Sequence, residues 1–316
     1  MTQIIAEDLW LWGGVISLPH IYNIRIRGEA MNLRAELKHS LVKQIIFRID
    51  YDGLMETDTE QLAANLRDSI YDAGYIEMDK RQENQIDVQV KMDLNGGFNN
   101  NLAISNTNNS IVYIFRKSNN EVIEINKSFF TLTINFESLY TCFDKYVGII
   151  VTVISAIKNM SKYFRPLRIG LRKINICFLR DINLIPTYFM KAAFNTVELV
   201  ENFENHDFVA SNAVSLLMKD DIRVNYVRNL QKGVIQLSEQ TQEEVYQLVI
   251  DIDAFIDASS NIVAAVDSDS DINKTICNIN ETTFDVFIRS LTDDFVEKLK
   301  QEVFDDTEID GVIINE

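Results

Sequence analysis

The sequence predicts an α+β fold of two loosely similar halves, mainly antiparallel sheet with long helices packed on one face. Three observations carry that expectation. Stretches with strand character run in adjacent groups instead of alternating strictly with helices. Two long stretches repeat apolar residues at helical spacing. Glycine and proline are scarce, 11 and 3 in 316 residues, so elements are long and tight hairpins few. At 47% apolar residues the chain has ample material for a packed core.

Taken in order, residues 1–40 read as an N-terminal extension. "LWLWGGVISLPHIYNI" mixes aromatics, glycines and Pro19 without a period, and Trp10 and Trp12 alternate as on a short strand. A first half spans 41–128. "LVKQIIFRIDYDG" (41–53) is a strand with Val42, Ile46 and Ile49 among its apolar residues. Thr57 or Asp58 caps a helix; Glu60 stands three residues after Thr57, the capping-box spacing. Leu62, Leu66, Ile70 and Ala73 follow on one face, and Gly74 stops it. "QIDVQVKMDL" (85–94) alternates as a half-buried strand, and "DLNGGFNNN" (93–101) reads as a loop. "SIVYIFRKSNNEVIEIN" (110–126) reads as two strands about a Ser-Asn-Asn turn.

The second half spans 129–303. It opens with the strand "FFTLTINF" and a helix over 138–164, whose stripe runs Leu139, Phe143, Val147, Ile150, Ile154, Ile157 and Phe164 until Pro166 ends it. A long strand from Arg165 follows, then a short helical piece near 187–200. Strands resume at 208–219, 222–230 and 245–257, an acidic loop covers 258–273, and a last helix runs from about Thr282 to Val303. Residues 304–316 are an acidic tail, expected to be loose.

The formal charge is −17, and it is polarised. Residues 239–316 hold 20 acidic and 4 basic side chains, whereas 158–180 hold seven basic ones and no acid. So acidic a chain repels phosphate backbones over most of its surface, which argues against nucleic acid as its main ligand. Two readings of the basic strip stay open. It receives an anion or the acidic region of a second copy, or it pairs with acids of its own chain.

Motifs exclude more than they assign. "DSDSD" (267–271) starts like a calcium loop, but the sixth and twelfth positions are Ile272 and Asn278, where an EF-hand needs Gly and an acid. Asp251 and Asp253 share one face of a strand, read as a solvated edge strand, with no third acid or phosphate clamp to join them. No phosphate-binding, dinucleotide, nucleophile-elbow or zinc-protease motif occurs, and no cofactor is called for. Cys142, Cys177 and Cys277 are far apart and read as small buried apolar residues, not disulfides or metal ligands. There is no basic leader, and the apolar run "YVGIIVTVISAI" is shorter than the roughly 20 residues of a membrane span, so the sequence predicts a cytoplasmic protein without a membrane.

The strip itself supplies the candidate site. Along a strand, Arg168, Gly170 and Arg172 point one way and Ile169, Leu171, Lys173 and Asn175 the other. Two arginines around a glycine form a fork for a carboxylate or phosphate. The candidate binding residues are Arg165, Arg168, Arg172, Lys173 and Asn175; none is assigned a catalytic or metal role.

"RPLRIGLRKIN", behind a long helix and "FFTLTINF", resembles the core segment of a sporadically distributed bacterial family without an established function. "LVIDIDAF" and "FDVFIRSLTDDFVEKL" resemble its C-terminal half. The resemblance covers roughly 41–303, and Arg168 to Asn175 is its most specific piece. It implies a patchy distribution of the kind shown by mobile or defence-linked genes, and no reaction. The expected function is therefore a non-enzymatic binding protein of a bacterial immunity or toxin-neutralising system. It would act on a protein partner, basic or a second copy of itself. The alternative is a sensor or enzyme for an anionic small molecule such as a nucleotide, gripped by Arg168 and Arg172.

Overall fold

The computed structural model describes residues 33–89, 103–136, 142–195, 207–238, 241–301 and 312–313. Within these, ten strands form one antiparallel sheet. They are β1 (Val42–Asp52), β2 (Glu77–Gln89), β3 (Ala103–Ser118), β4 (Glu121–Ile125), β5 (Phe129–Asn135), β6 (Arg165–Leu179), β7 (Ala210–Lys219), β8 (Ile222–Ser238), β9 (Thr241–Ile256) and β10 (Val312–Ile313). The order across the sheet is β2-β3-β4-β5-β1-β6-β9-β8-β7, with β10 beside the end of β6.

The strands fall into two groups, and β5, expected to open the second half at 129, lies with the first group between β4 and β1. In each group a strand leads through a helical segment into a meander whose last strand returns beside the first: β5 beside β1, and β9 beside β6. The two leading strands pair with each other, Ile45 opposite Lys173 and Ile49 opposite Ile169, so the groups share one sheet.

Three longer helices lie on one face: α1 (Glu56–Asp72), α2 (Val147–Met160) and α5 (Asp269–Ile288). Shorter ones are α3 (Ile185–Tyr188), α4 (Ser259–Ala265) and α6 (Asp293–Leu299). Alternation explains the packing. Ile45, Phe47, Ile49 and Tyr51 of β1 turn to the helices and are fully buried. They meet Leu62, Leu66 and Ile70 of α1 and Ile150, Ile154 and Ile157 of α2 in one core. Each such side chain contributes about 1.5–3 kcal/mol of burial.

Several expectations are corrected here. The first helix begins two residues earlier than a cap at Thr57 suggests. Met55 is its N-cap, and Asp58 accepts a 2.9 Å bond from the Met55 N–H. Gly74 does end it, with φ of +96°. The second helix stops at Met160; Phe164 lies outside it, and Pro166 sits within β6 opposite Tyr51, near the strand's start where its missing N–H is tolerated. The acidic stretch 258–273 is not a loop. Ser268 accepts from the Asp271 N–H at 3.2 Å and opens α5, while Asp269 and Asp271 complement the positive end of its dipole. The expected helix 282–303 divides at Arg289–Leu291, where Thr292 caps α6 and Leu291 bridges to Phe189. Residues 312–313, expected in a loose tail, pair with β6. Of the N-terminal extension, Leu33 and Leu37 pack on the core, and the Lys38 and His39 N–H groups donate to Leu299 O. Trp10, Trp12, the 93–101 loop, and 196–200 of the helical piece expected near 187–200 lie outside the described residues.

Candidate functional site

Strand β6 carries the candidate residues, and the sheet pleat divides them between two environments. On the face away from the helices, Arg172 meets Asp251 as a fork, Nε to Oδ1 at 2.8 Å and Nη2 to Oδ2 at 2.5 Å. This bond is the main reason its pKa stands above the usual arginine value. Arg168 Nη2 bonds both oxygens of Asp253, at 2.6 and 2.8 Å, with its guanidinium 4.5 Å from the Phe255 ring centroid. To get there Arg168 crosses Gly170. A Cβ on Gly170 would stand 2.8 Å from the Phe255 Cβ and 3.1 Å from Arg168 Nη2. The glycine thus makes room for the chain's own side chains. Arg165 pairs with Asp52 at 2.8 Å, both exposed, and Arg180 with Glu243 at 2.6 Å.

Of the two readings of the basic strip, this geometry is the intramolecular one. Asp251, Asp253 and Glu243 all belong to the acidic C-terminal segment. β9 is an interior strand between β6 and β8, not the solvated edge expected for Asp251 and Asp253. An anion reaching Arg168 or Arg172 would have to displace a carboxylate. Arg172→Ala is expected to lower stability by about 1–2 kcal/mol, because Asp251, 13% exposed, is left without its partner. Asp251→Asn has a similar cost, and the double variant falls short of the sum by roughly 0.5–1 kcal/mol. Urea unfolding of the four proteins measures this, and strict additivity would show that the fork contributes nothing.

On the helix-facing side, Lys173 and Asn175 are buried, at 6% and 2% exposure. Lys173 Nζ donates to Asn280 Oδ1 on α5 at 2.6 Å. Asn280 Nδ2 reaches Asp144 Oδ1 at 3.4 Å, Cys142 Sγ donates to Asp144 Oδ2 at 3.0 Å, and Arg34 Nη2 donates to Asn280 O at 3.3 Å. Burial, and then the nearby Arg34, lower the Lys173 pKa from 10.5 to about 7. Asn175 Nδ2 donates to Ile250 O at 3.0 Å, while its Oδ1 is buried without a partner. Sequence reasoning missed Asn280, Asp144 and Arg34. A polar residue within the apolar stripe of α5 is the signal for Asn280, hidden when the helix is expected to start only at about Thr282.

The cysteines differ from the expectation of uniform burial: Cys177 is buried, Cys277 half-buried and Cys142 exposed, all free thiols. Burial raises all three pKa values, Cys177 to about 12, so none is held as a thiolate. Among the described residues no three His, Cys, Asp or Glu side chains group to hold a metal ion. Among them, too, no helix is long and apolar enough to cross a membrane.

A different surface lies at the end of the sheet. β7 pairs with β8 through ten unbroken partners, Ala210 opposite Gln231 to Lys219 opposite Ile222. Its other edge pairs with no described strand. Val214, Leu216 and Met218 share one face and are 66–68% exposed. From Phe208 to Met218 there is no charged residue. At the opposite end, β2 reads Glu-Met-Asp-Lys-Arg-Gln-Glu over 77–83. Charges on an edge strand block pairing with other chains; β2 has that protection and β7 does not.

No protein-family model matches this chain, and no curated protein does. Two solved structures of the S. pombe Pct1 RNA triphosphatase align with it at 7% identity. One, in complex with the Spt5 CTD, has a TM-score of 0.13 over 90% of this chain and 94% of that one. The other has a TM-score of 0.11 over 96% and 100%. Likeness this slight carries no argument about fold or activity.

Proposed function

We propose that this chain is a non-enzymatic binding protein acting through protein–protein contacts, with β7 as its contact surface. The single observation that carries the reading is an edge strand of ten residues, apolar on its exposed face, uncharged up to Lys219 and, among the described residues, unpaired along one side. Such an edge offers unsatisfied backbone donors and acceptors and an apolar row to an added strand, the mode of recognition called β-augmentation. The basic strip is a weaker candidate, since Arg168 and Arg172 already hold carboxylates.

The setting proposed is the cytoplasm, in a bacterial immunity or toxin-neutralising system, supported by the resemblance around Arg168 to Asn175. A photo-crosslinking residue placed at Val214 tests the reading in native host cells, with Val263, exposed on α4, as the control position. Discrete protein adducts are expected at Val214 and not at Val263. Equal labelling at both positions would remove β7 as the contact surface. An adducted partner unconnected with any immunity or toxin gene would leave that setting without support.

A further inference from the structure

We infer that the strand received by β7 is β7 of a second copy of this chain, paired antiparallel about a two-fold axis near Ser215. The inference rests on the binding reading above and names its partner. Three features point to a copy of the same chain.

The first is self-complementarity. An antiparallel strand turned about Ser215 sets residues whose numbers average 215 opposite one another, which keeps each side chain on its own face of the joined sheet. Val214 then faces Leu216 of the second copy, Ala213 faces Leu217, and Asn212 faces Met218. Ser215 meets Ser215, and Lys219 meets Ser211, so no like charges stand opposite. The exposed faces of both copies thereby align Val214, Leu216 and Met218 into one apolar strip.

The second feature is the state of the edge. β7 has no proline, and its ladder with β8 has no register shift. A regular, uncharged edge templates a partner strand along its whole length. Together with the charged β2 edge, this leaves one end of the sheet suited to joining, so two copies close into a pair without extending further.

The third is the charge balance. With −17 on each copy, long-range repulsion opposes the pair. Lys219 is the one charged residue that each copy brings to the proposed interface, and Arg223, Arg228 and Lys232 lie beside it on β8, close to Asp220 and Asp221. Salt screens the distant repulsion and strengthens apolar contact, so association should increase with ionic strength. A basic hetero-partner drawn to the acidic surface would show the reverse dependence.

Light scattering behind size exclusion, with the full chain at about 1 to 200 µM, covers the range over which a small interface dissociates. The expected result is a dimer whose fraction grows with concentration and with added salt. Leu216→Lys and Val214→Glu alone should each weaken dimerisation roughly tenfold or more, with unchanged thermal unfolding at concentrations where the natural chain is monomeric, because both sites are exposed. Mixing these two variants should restore dimers, since the new opposite charges face each other in this register. Val263→Lys should dimerise as the unaltered chain does. A monomer throughout the series, or a dimer unaffected by Leu216→Lys, overturns the inference. Loss of dimers in both single variants with no rescue on mixing would exclude the register and with it the two-fold pairing proposed. The binding reading fails separately: adducts from Val214 to another protein, with a monomeric chain, sink the second copy and keep the surface, whereas no adducts of any kind sink both.

Discussion

Lys173→Met is expected to make the chain more stable at neutral pH, by about 2–3 kcal/mol, and the gain shrinks as the pH rises. Lys173 is buried against α5, with the neutral amide of Asn280 as its hydrogen-bond acceptor. Its pKa falls from 10.5 to about 7 because burial penalises the charged form. At and below about pH 7 the ammonium is carried by both folded and unfolded chains, and its burial costs the full difference, on the order of 5 kcal/mol. Between about 7 and 10.5 the unfolded chain holds more protons than the folded one, so stability of the natural chain rises with pH. Methionine fills similar volume without a charge, and it forfeits the bond to Asn280, at about 1–3 kcal/mol.

Urea unfolding at several values from about pH 6 to 9 measures the gap between the two proteins. The upper bound matters because Cys177, raised from 9.0 to about 12, works in the opposite direction above 9: its folded thiol keeps a proton that the unfolded one loses. Both proteins share that effect, so their difference isolates Lys173. A methionine variant less stable than the natural chain at every pH would mean that the ammonium is favourably held by its neighbours.

Gly53→Ala is expected to cost about 4 kcal/mol or more. Gly53 follows β1 with φ of +95°, and a Cβ there would stand 1.9 Å from Tyr163 O and 2.4 Å from Tyr163 C. Those are backbone atoms in the link between α2 and β6, tied to the same turn by Ser161 Oγ, which donates to Gly53 O at 3.0 Å. The turn would have to move, and with it the register of the two central strands. Gly74→Ala is the control. Its φ is +96°, but the nearest atom to an added Cβ is Lys117 Cε at 3.3 Å, the flexible end of a side chain. Gly74→Ala should cost only the backbone term, about 1–2 kcal/mol. Equal losses in thermal unfolding would show that the Tyr163 contact is not what requires glycine at 53.

Strands were legible in the sequence because the pleat imposes a period of two on a half-buried sheet: β1, β4, β5, β6 and the cores of β3, β7, β8 and β9 fall where alternation or β-branched runs place them. Helix limits were less so. Acidic "DSDSD" has the composition of a solvated loop, yet the same acids favour a helix N-terminus once Ser268 supplies the cap. Of the candidate site, residue alternation on β6 was readable, including the separation of Arg168 and Arg172 from Lys173 and Asn175. Their partners were not.

The sequence by itself determined the α+β class, the strand periodicity and the concentration of opposite charges in two segments, because each is a local property of composition or spacing. Only the tertiary structure decided that Asp251 and Asp253 lie beside Arg172 and Arg168, from 79 and 85 residues away, that Lys173 is sealed beneath α5, and that β7 is the last described strand on its side of the sheet. Strand order sets all three, and strand order follows from burying the apolar faces of distant segments in one core, a balance over the whole chain that no single stretch encodes.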